Sequence, residues 1–142
     1  MIRIDLEVGN DFENRTERLF YLINDASINS VANIIQKDIE VNIAYGRSIF
    51  GGNVKPNLKG SRVLFDSGEL FRSIKNDKNN DSSEKGRVIY VGEDRRQIAN
   101  WLQFGTTKMD ARPFFGISQI VMDKINAYYD RLMSNAEKSY LK

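Results

Sequence analysis

The strongest constraint in this chain is a change of hydrophobic period close to its start. Ile2, Ile4, Leu6 and Val8 alternate with Arg3, Asp5 and Glu7, which sets the apolar side chains on one face of a strand. Gly9-Asn10-Asp11 ends that pattern, and from about Asn14 the spacing becomes three and four. Leu19, Leu22, Ile23 and Ala26 continue through Ile28, Val31, Ala32, Ile35, Ile39 and Ile43. This stripe predicts an amphipathic helix of about thirty residues, far above the average length. Its β-branched residues lower the intrinsic helix propensity, so packing has to hold it.

The segment Gly46–Arg62 is of another kind. It carries Gly46, Gly51, Gly52, Gly60 and Pro56, which argue against helix or long strand. It also carries Arg47, Lys55, Lys59 and Arg62 and no acidic residue, although the whole chain has a net charge of only +2. A loop this long is either a solvated connector or a functional element. Asp66-Ser67-Gly68-Glu69 then predicts a short helix with Asp66 as cap and Glu69 reaching back, as in a capping box. Lys75–Arg87 contains no apolar side chain, so it is expected to be a solvated hairpin arm or loop. Val88-Ile89-Tyr90-Val91 reads as a strand stopped by Gly92.

Asp94 is expected to cap another helix, with Ile98, Trp101 and Leu102 on one face and Gly105 past its end. Thr106–Arg112 must extend or turn, because Arg112 precedes Pro113. Pro113 suits the first turn of a last helix, whose apolar face runs Ile117, Ile120, Val121, Ile125, Tyr128 and Leu132. Asp123, Asp130 and Glu137, each followed by a base, repeat every seven residues; a solvated face explains this better than a coiled coil.

Strands and helices do not alternate in βαβ units, so the expected class is α+β: a small, mainly antiparallel sheet packed against a long N-terminal helix and a C-terminal helix. Residues 1–142 are expected to form one domain, with flexible loops near 46–62 and 75–87. No apolar run reaches the roughly 18 residues of a membrane span and the start is not a signal peptide, so the chain reads as soluble and unsecreted. The chain has no Cys and no His, which excludes thiol nucleophiles, disulfides, Cys/His zinc sites and the Ser-His-Asp triad. No phosphate-binding glycine loop is present either. The sequence therefore predicts a binding or structural protein, not an enzyme, without cofactor, metal, membrane or small-molecule partner.

Two segments go beyond generic globularity: Leu64-Phe65-Asp66-Ser67-Gly68-Glu69-Leu70-Phe71-Arg72-Ser73-Ile74, and Ile98-Ala99-Asn100-Trp101-Leu102-Gln103-Phe104-Gly105-Thr106-Thr107-Lys108-Met109-Asp110-Ala111-Arg112-Pro113-Phe114-Phe115. With Val91-Gly92 between them, they resemble the tail-completion, or virion-morphogenesis, proteins of tailed bacteriophages, also called head–tail connector or neck proteins. Ser67 replaces the usual Thr of the first motif, and the basic loop lacks the dense proline pattern of that family.

The resemblance implies a structural virion protein that forms a ring, six-fold by expectation, at the junction of head and tail. Its partners would be further copies of itself and neighbouring neck, connector and tail-tube proteins. It would reside in the virion neck or tail, and in the host cytoplasm during assembly. The tail-tube terminator is an alternative of the same fold type. A small nucleic-acid-binding regulator acting through the basic loop is the alternative from another class.

The expected interface residues are Trp101, Phe104, Gly105, Thr106, Lys108, Met109, Arg112, Pro113 and Phe114, an apolar arm suited to a neighbouring subunit. The exposed strand edge near residues 2–8 is a second candidate contact. Phe114 and Phe115 equally suit the domain's own core, and Trp101 suits core packing better than a ligand. Arg47, Lys55, Lys59 and Arg62 are expected to face the lumen, with weak non-specific DNA contact, or an acidic partner surface.

Overall fold

The structure is a computed structural model that describes residues 2–7, 15–54, 64, 68–78 and 86–140. Val8, Lys55, Lys59, Arg62 and Asp66 lie outside the described residues, as do Gly9-Asn10-Asp11 and the middle of the 75–87 segment. The elements are β1 (Arg3–Glu7), α1 (Arg15–Tyr45), α2 (Glu69–Arg72), β2 (Ile74–Lys78), β3 (Gly86–Val91), α3 (Arg96–Phe104) and α4 (Gln119–Tyr140). The fold is α+β.

The three strands form one antiparallel sheet in the order β1-β3-β2. Ile4 lies opposite Ile89, and Ile74 opposite Val91. Directly opposed residues share a face, so these four line the inner side of the sheet. The α1 stripe closes on them: Ala32, Ile35, Ile39 and Ile43 are fully buried together with Ile89 and Val91. Leu64, Leu70, Ala99, Phe114, Phe115, Val121 and Ile125 join the same cluster. The outer face carries Arg3, Asp5, Lys75, Asp77 and Tyr90, whose hydroxyl donates to Asp77 Oδ2 at 2.5 Å. Among the described residues no helix is long and apolar enough to cross a membrane.

Where α1 leaves the apolar part of the sheet, its contacts become polar. Asn76 on the inner face donates to Asn33 Oδ1 and Gln36 Oε1, each at 3.2 Å, and accepts from Arg87 Nε at 3.1 Å. This network satisfies side chains that are only half in water, as a partly buried polar group requires.

Several boundaries differ from the sequence reading. Helix α2 begins at Glu69 behind Gly68, which holds a left-handed φ of 79°, and no side chain caps it. Glu69 pairs with Arg95. Glu93–Arg95 is a single tight 3-10 turn, and α3 starts at Arg96 without a side-chain cap, so Asp94 does not have the capping role expected of it. Helix α4 starts at Gln119, after Pro113 rather than at it, because residues 113–115 are held in a connector by other elements. Ser118 is its capping side chain: the hydroxyl accepts from Val121 N–H at 3.2 Å and donates to the buried Asp38 at 3.1 Å. Ile117 and Ile120, expected on the buried face, are 41% and 51% exposed. The charge repeat at Asp123, Asp130 and Glu137 is solvated, as are the bases that follow each acid.

The first part of the expected glycine loop has a definite form. Gly46 adopts φ 65° and Arg47 N–H bonds Asn42 C=O at 2.9 Å, the Schellman closure of a helix. Ser48 N–H then bonds Gly52 C=O, Val54 N–H bonds Gly46 C=O, and Arg47 bridges Asn53. Residues 46–54 are thus a small hairpin.

Glu40 sits near the polar network on α1. Partial burial pushes its carboxyl above the ordinary range, while the Gln36 hydrogen bond and the Lys37 charge pull it part of the way back. The folded chain therefore binds this proton more tightly than the unfolded chain does. The stability from that proton is fully present below the unfolded value near 4.5 and is lost as pH rises through the raised folded value. Glu40→Gln should flatten this part of the stability–pH profile and leave stability at pH 7 unchanged or higher. Urea midpoints across pH 4–7 check it.

Candidate functional site

Helix α3 (RQIANWLQF) is nine residues long and strongly amphipathic. Ala99 is fully buried and Leu102 packs partly against the core. Ile98, Trp101 and Phe104 follow one another at steps of three and are 38%, 46% and 70% exposed. Of the three residues expected on one face, Leu102 is half-buried while Ile98 and Trp101 are exposed, so the core packing expected of Trp101 is corrected. Three large apolar side chains on one short exposed face exceed the scattered exposure usual for a soluble surface.

The chain reverses at Gly105, whose φ of 77° and ψ of 174° lie in a region essentially reserved for glycine. A Cβ there would stand 2.8 Å from Ala111 N and 3.1 Å from Met109 O. Thr106 and Met109 then exchange backbone hydrogen bonds around a tight turn tipped by Thr107 and Lys108. The arm is therefore turned at its start rather than extended throughout. It runs back along α3, where Arg112 N–H caps Leu102 C=O at 2.6 Å.

Beyond Arg112 the chain is clamped. Gln103 Oε1 accepts from the N–H groups of Phe114 and Phe115 at 3.2 and 3.0 Å, and Gln103 Nε2 donates to Phe115 C=O at 2.9 Å. Asn42 Nδ2, buried in α1, donates to Phe114 C=O at 3.1 Å, and Ile49 N–H bonds Pro113 C=O. Phe114 is fully buried and meets Phe115 edge to face. Phe114 is thus a core residue, a correction to its expected place in a subunit contact. Of the other expected interface residues, Trp101, Phe104, Thr106 and Lys108 are exposed, while Gly105, Met109, Arg112 and Pro113 are half-buried.

Sequence reasoning missed Gln103, Asn42, Asp38 and Ser118, the polar groups that hold the connector. A signal was present for two of them. Asp38 and Asn42 interrupt the apolar α1 stripe one turn apart, which marks a second polar ridge along the helix.

The basic segment is divided. Arg47 is half-buried within the 46–54 hairpin, and the other three cations lie outside the described residues. An open groove of about 460 Å³ separates this hairpin from the start of α4, lined by Asn42, Arg47, Phe50, Ile117 and Ile120. Phe50 stands at the hairpin tip, 84% exposed. Among the described residues no three His, Cys, Asp or Glu side chains gather as a metal-ligand set.

No family model matches the chain, and no curated protein or solved structure matches it either.

Gly105→Ala should cost about 2 kcal/mol or more, since strain and a backbone clash act together. Gly51→Ala is the matched control: φ is also positive, at 96°, but no atom lies within 4 Å of the added methyl group. Thermal melts should place Gly105→Ala clearly below Gly51→Ala. Gln103→Ala leaves two amides and a carbonyl without their partner, and should cost about 2–4 kcal/mol by denaturant unfolding.

Proposed function

We propose that the protein is a structural subunit that assembles into a ring at the head–tail junction of a tailed-phage virion, completing the tail or joining it to the head. The observation that carries this reading is the unpartnered face of Ile98, Trp101 and Phe104 beside the Gly105 turn. That face coincides with the second of the two segments that resemble the tail-completion proteins.

The fold supports the reading in a second way. The buried half of the motif, Phe114 and Phe115, fixes the arm to the domain, while its other half, Trp101 and Phe104, is presented outward. A closed ring needs one surface to meet a different surface of the next subunit. Aromatic side chains on a rigid helix are well suited to such a contact, because little side-chain entropy is lost on ordering them. The groove between the 46–54 hairpin and α4 is a candidate for the surface that receives them. In such a ring Arg47 and the cations after it face either the DNA channel or an acidic neighbour.

Replacing Trp101 and Phe104 together by Ala should leave the far-ultraviolet circular dichroism native-like. Each truncation of a buried interface aromatic should weaken assembly by about tenfold or more. Electron microscopy and sedimentation velocity should then find the subunit unassembled where the native chain forms rings. Rings that persist with both side chains removed would show that this face is not the subunit contact.

A further inference from the structure

Two apolar surfaces of the described chain stand in water, and they differ in shape. One is the ridge of Ile98, Trp101 and Phe104 on α3. The other is the groove of about 460 Å³ between the 46–54 hairpin and the start of α4, where Phe50, Ile117 and Ile120 are exposed. Each has a charge beside it that the fold does not use. Arg47 lines the groove, half-buried, and among the described residues its side chain has neither an ion pair nor a hydrogen bond. Asp94 is exposed four residues before Ile98 and seven before Trp101, the spacing of one helix side, and it too has neither among the described residues. Of the bases beside it, Arg95 is paired with Glu69, and Arg96 stands about 200° around the helix from Ile98.

We propose that the α3 ridge of one copy docks in the groove of the next copy, with Asp94 facing the partner's Arg47. Trp101 and Phe104 enter between the hairpin and α4 and lie against Phe50, Ile117 and Ile120. A cavity of roughly 300–1,000 Å³ takes a drug-sized molecule, and two neighbouring aromatic side chains are of that size. The contact has an apolar centre with one pair of opposite charges at its margin, the usual anatomy of a specific interface. The apolar part supplies the affinity, and the charge pair sets which end of the ridge lies against the hairpin.

Like surfaces do not match in the same way. A groove is not filled by another groove, and two ridges that meet leave the groove and Arg47 uncovered. Only the unlike pair covers both. Such a contact repeats head to tail, since each subunit enters one neighbour and receives another. The inference rests on the proposed ring for the closure of that series, and not for the contact itself.

The experiment uses two variants of the full chain, each lacking one half of the contact. Trp101→Ala with Phe104→Ala removes the ridge and keeps the groove. Ile120→Glu blocks the groove and keeps the ridge; Ile120 is exposed in the first turn of α4, where an acid suits the helix dipole, so circular dichroism should stay native. In sedimentation velocity each variant alone should associate at least about tenfold more weakly than the native chain. Mixed, the ridge of the second variant still fits the groove of the first, and neither has a surface left for a further subunit. The mixture should therefore give one-to-one pairs and nothing larger. Such pairs uphold the contact even if the native chain makes open chains instead of rings, and in that case only the ring reading fails.

Absence of pairs from the mixture would overturn the proposal, even with rings formed by the native chain. If the groove serves another protein, Ile120→Glu should associate as the native chain does, which would overturn it as well. The charge pair has its own test. Arg47→Glu and Asp94→Arg should each weaken association by about fivefold or more, and a chain that carries both should recover it. A double variant no better than the two single ones would show that Asp94 does not meet Arg47.

Discussion

The polar clamp on Phe114 and Phe115 is the interaction on which the rest of the architecture depends. Two side-chain amides, Gln103 from α3 and Asn42 from α1, bond both N–H groups and both carbonyls of this dipeptide. A buried connector would otherwise carry unpaired backbone groups, each worth roughly 1–3 kcal/mol of lost stability. Because the clamp is made by amides, the chain can pass through the interior in a non-helical form. It can also carry two phenylalanine rings into the cluster formed by α1 and the sheet. The start of α4 follows from this, since Ser118 is delivered to Asp38 only once the connector is fixed.

The clamp also decides which way α3 faces. Gln103, Ala99 and Leu102 turn toward the connector and the core, while Ile98, Trp101 and Phe104 are left exposed. The five apolar residues of α3 spread beyond a single buried stripe, and the bonds of Gln103 to the connector help fix which of them are left in water. The Gly105 turn and the Arg112 cap then fold the following residues against the helix end. The exposed aromatic face is thus carried on a short rigid unit closed at its C-terminal end.

Much of the frame was legible in the sequence because it rests on period. The alternation of Ile2, Ile4 and Leu6, the α1 stripe from Ile28 to Ile43 and the solvated charge repeat of α4 all stand where their spacing places them. What escaped was set by single long-range bonds. Pro113 is locally compatible with a helix start, but its carbonyl receives Ile49 N–H, and the next two residues are bound by Gln103. Glu69 three residues after Asp66 has the spacing of a capping box, yet its carboxylate finds Arg95. Trp101 has the spacing of a core residue on α3, yet it is 46% exposed. Local spacing specifies an amphipathic element well, but it does not specify which of two apolar faces another part of the chain will claim.

The bonds that close the interior span long stretches of chain. Asn42 meets Phe114 across 72 residues, and Asp38 meets Ser118 across 80. Helix α1 is made before β3, the connector and α4, which cover its isoleucine ridge and come much later in the chain. Contacts this distant in sequence are slow to form, and a partly made chain leaves its apolar stripe uncovered in the meantime. The nascent protein therefore passes through a period in which Ile35, Ile39 and Ile43 present a continuous sticky surface. Until the sheet is complete, that surface is open to non-native contacts and aggregation.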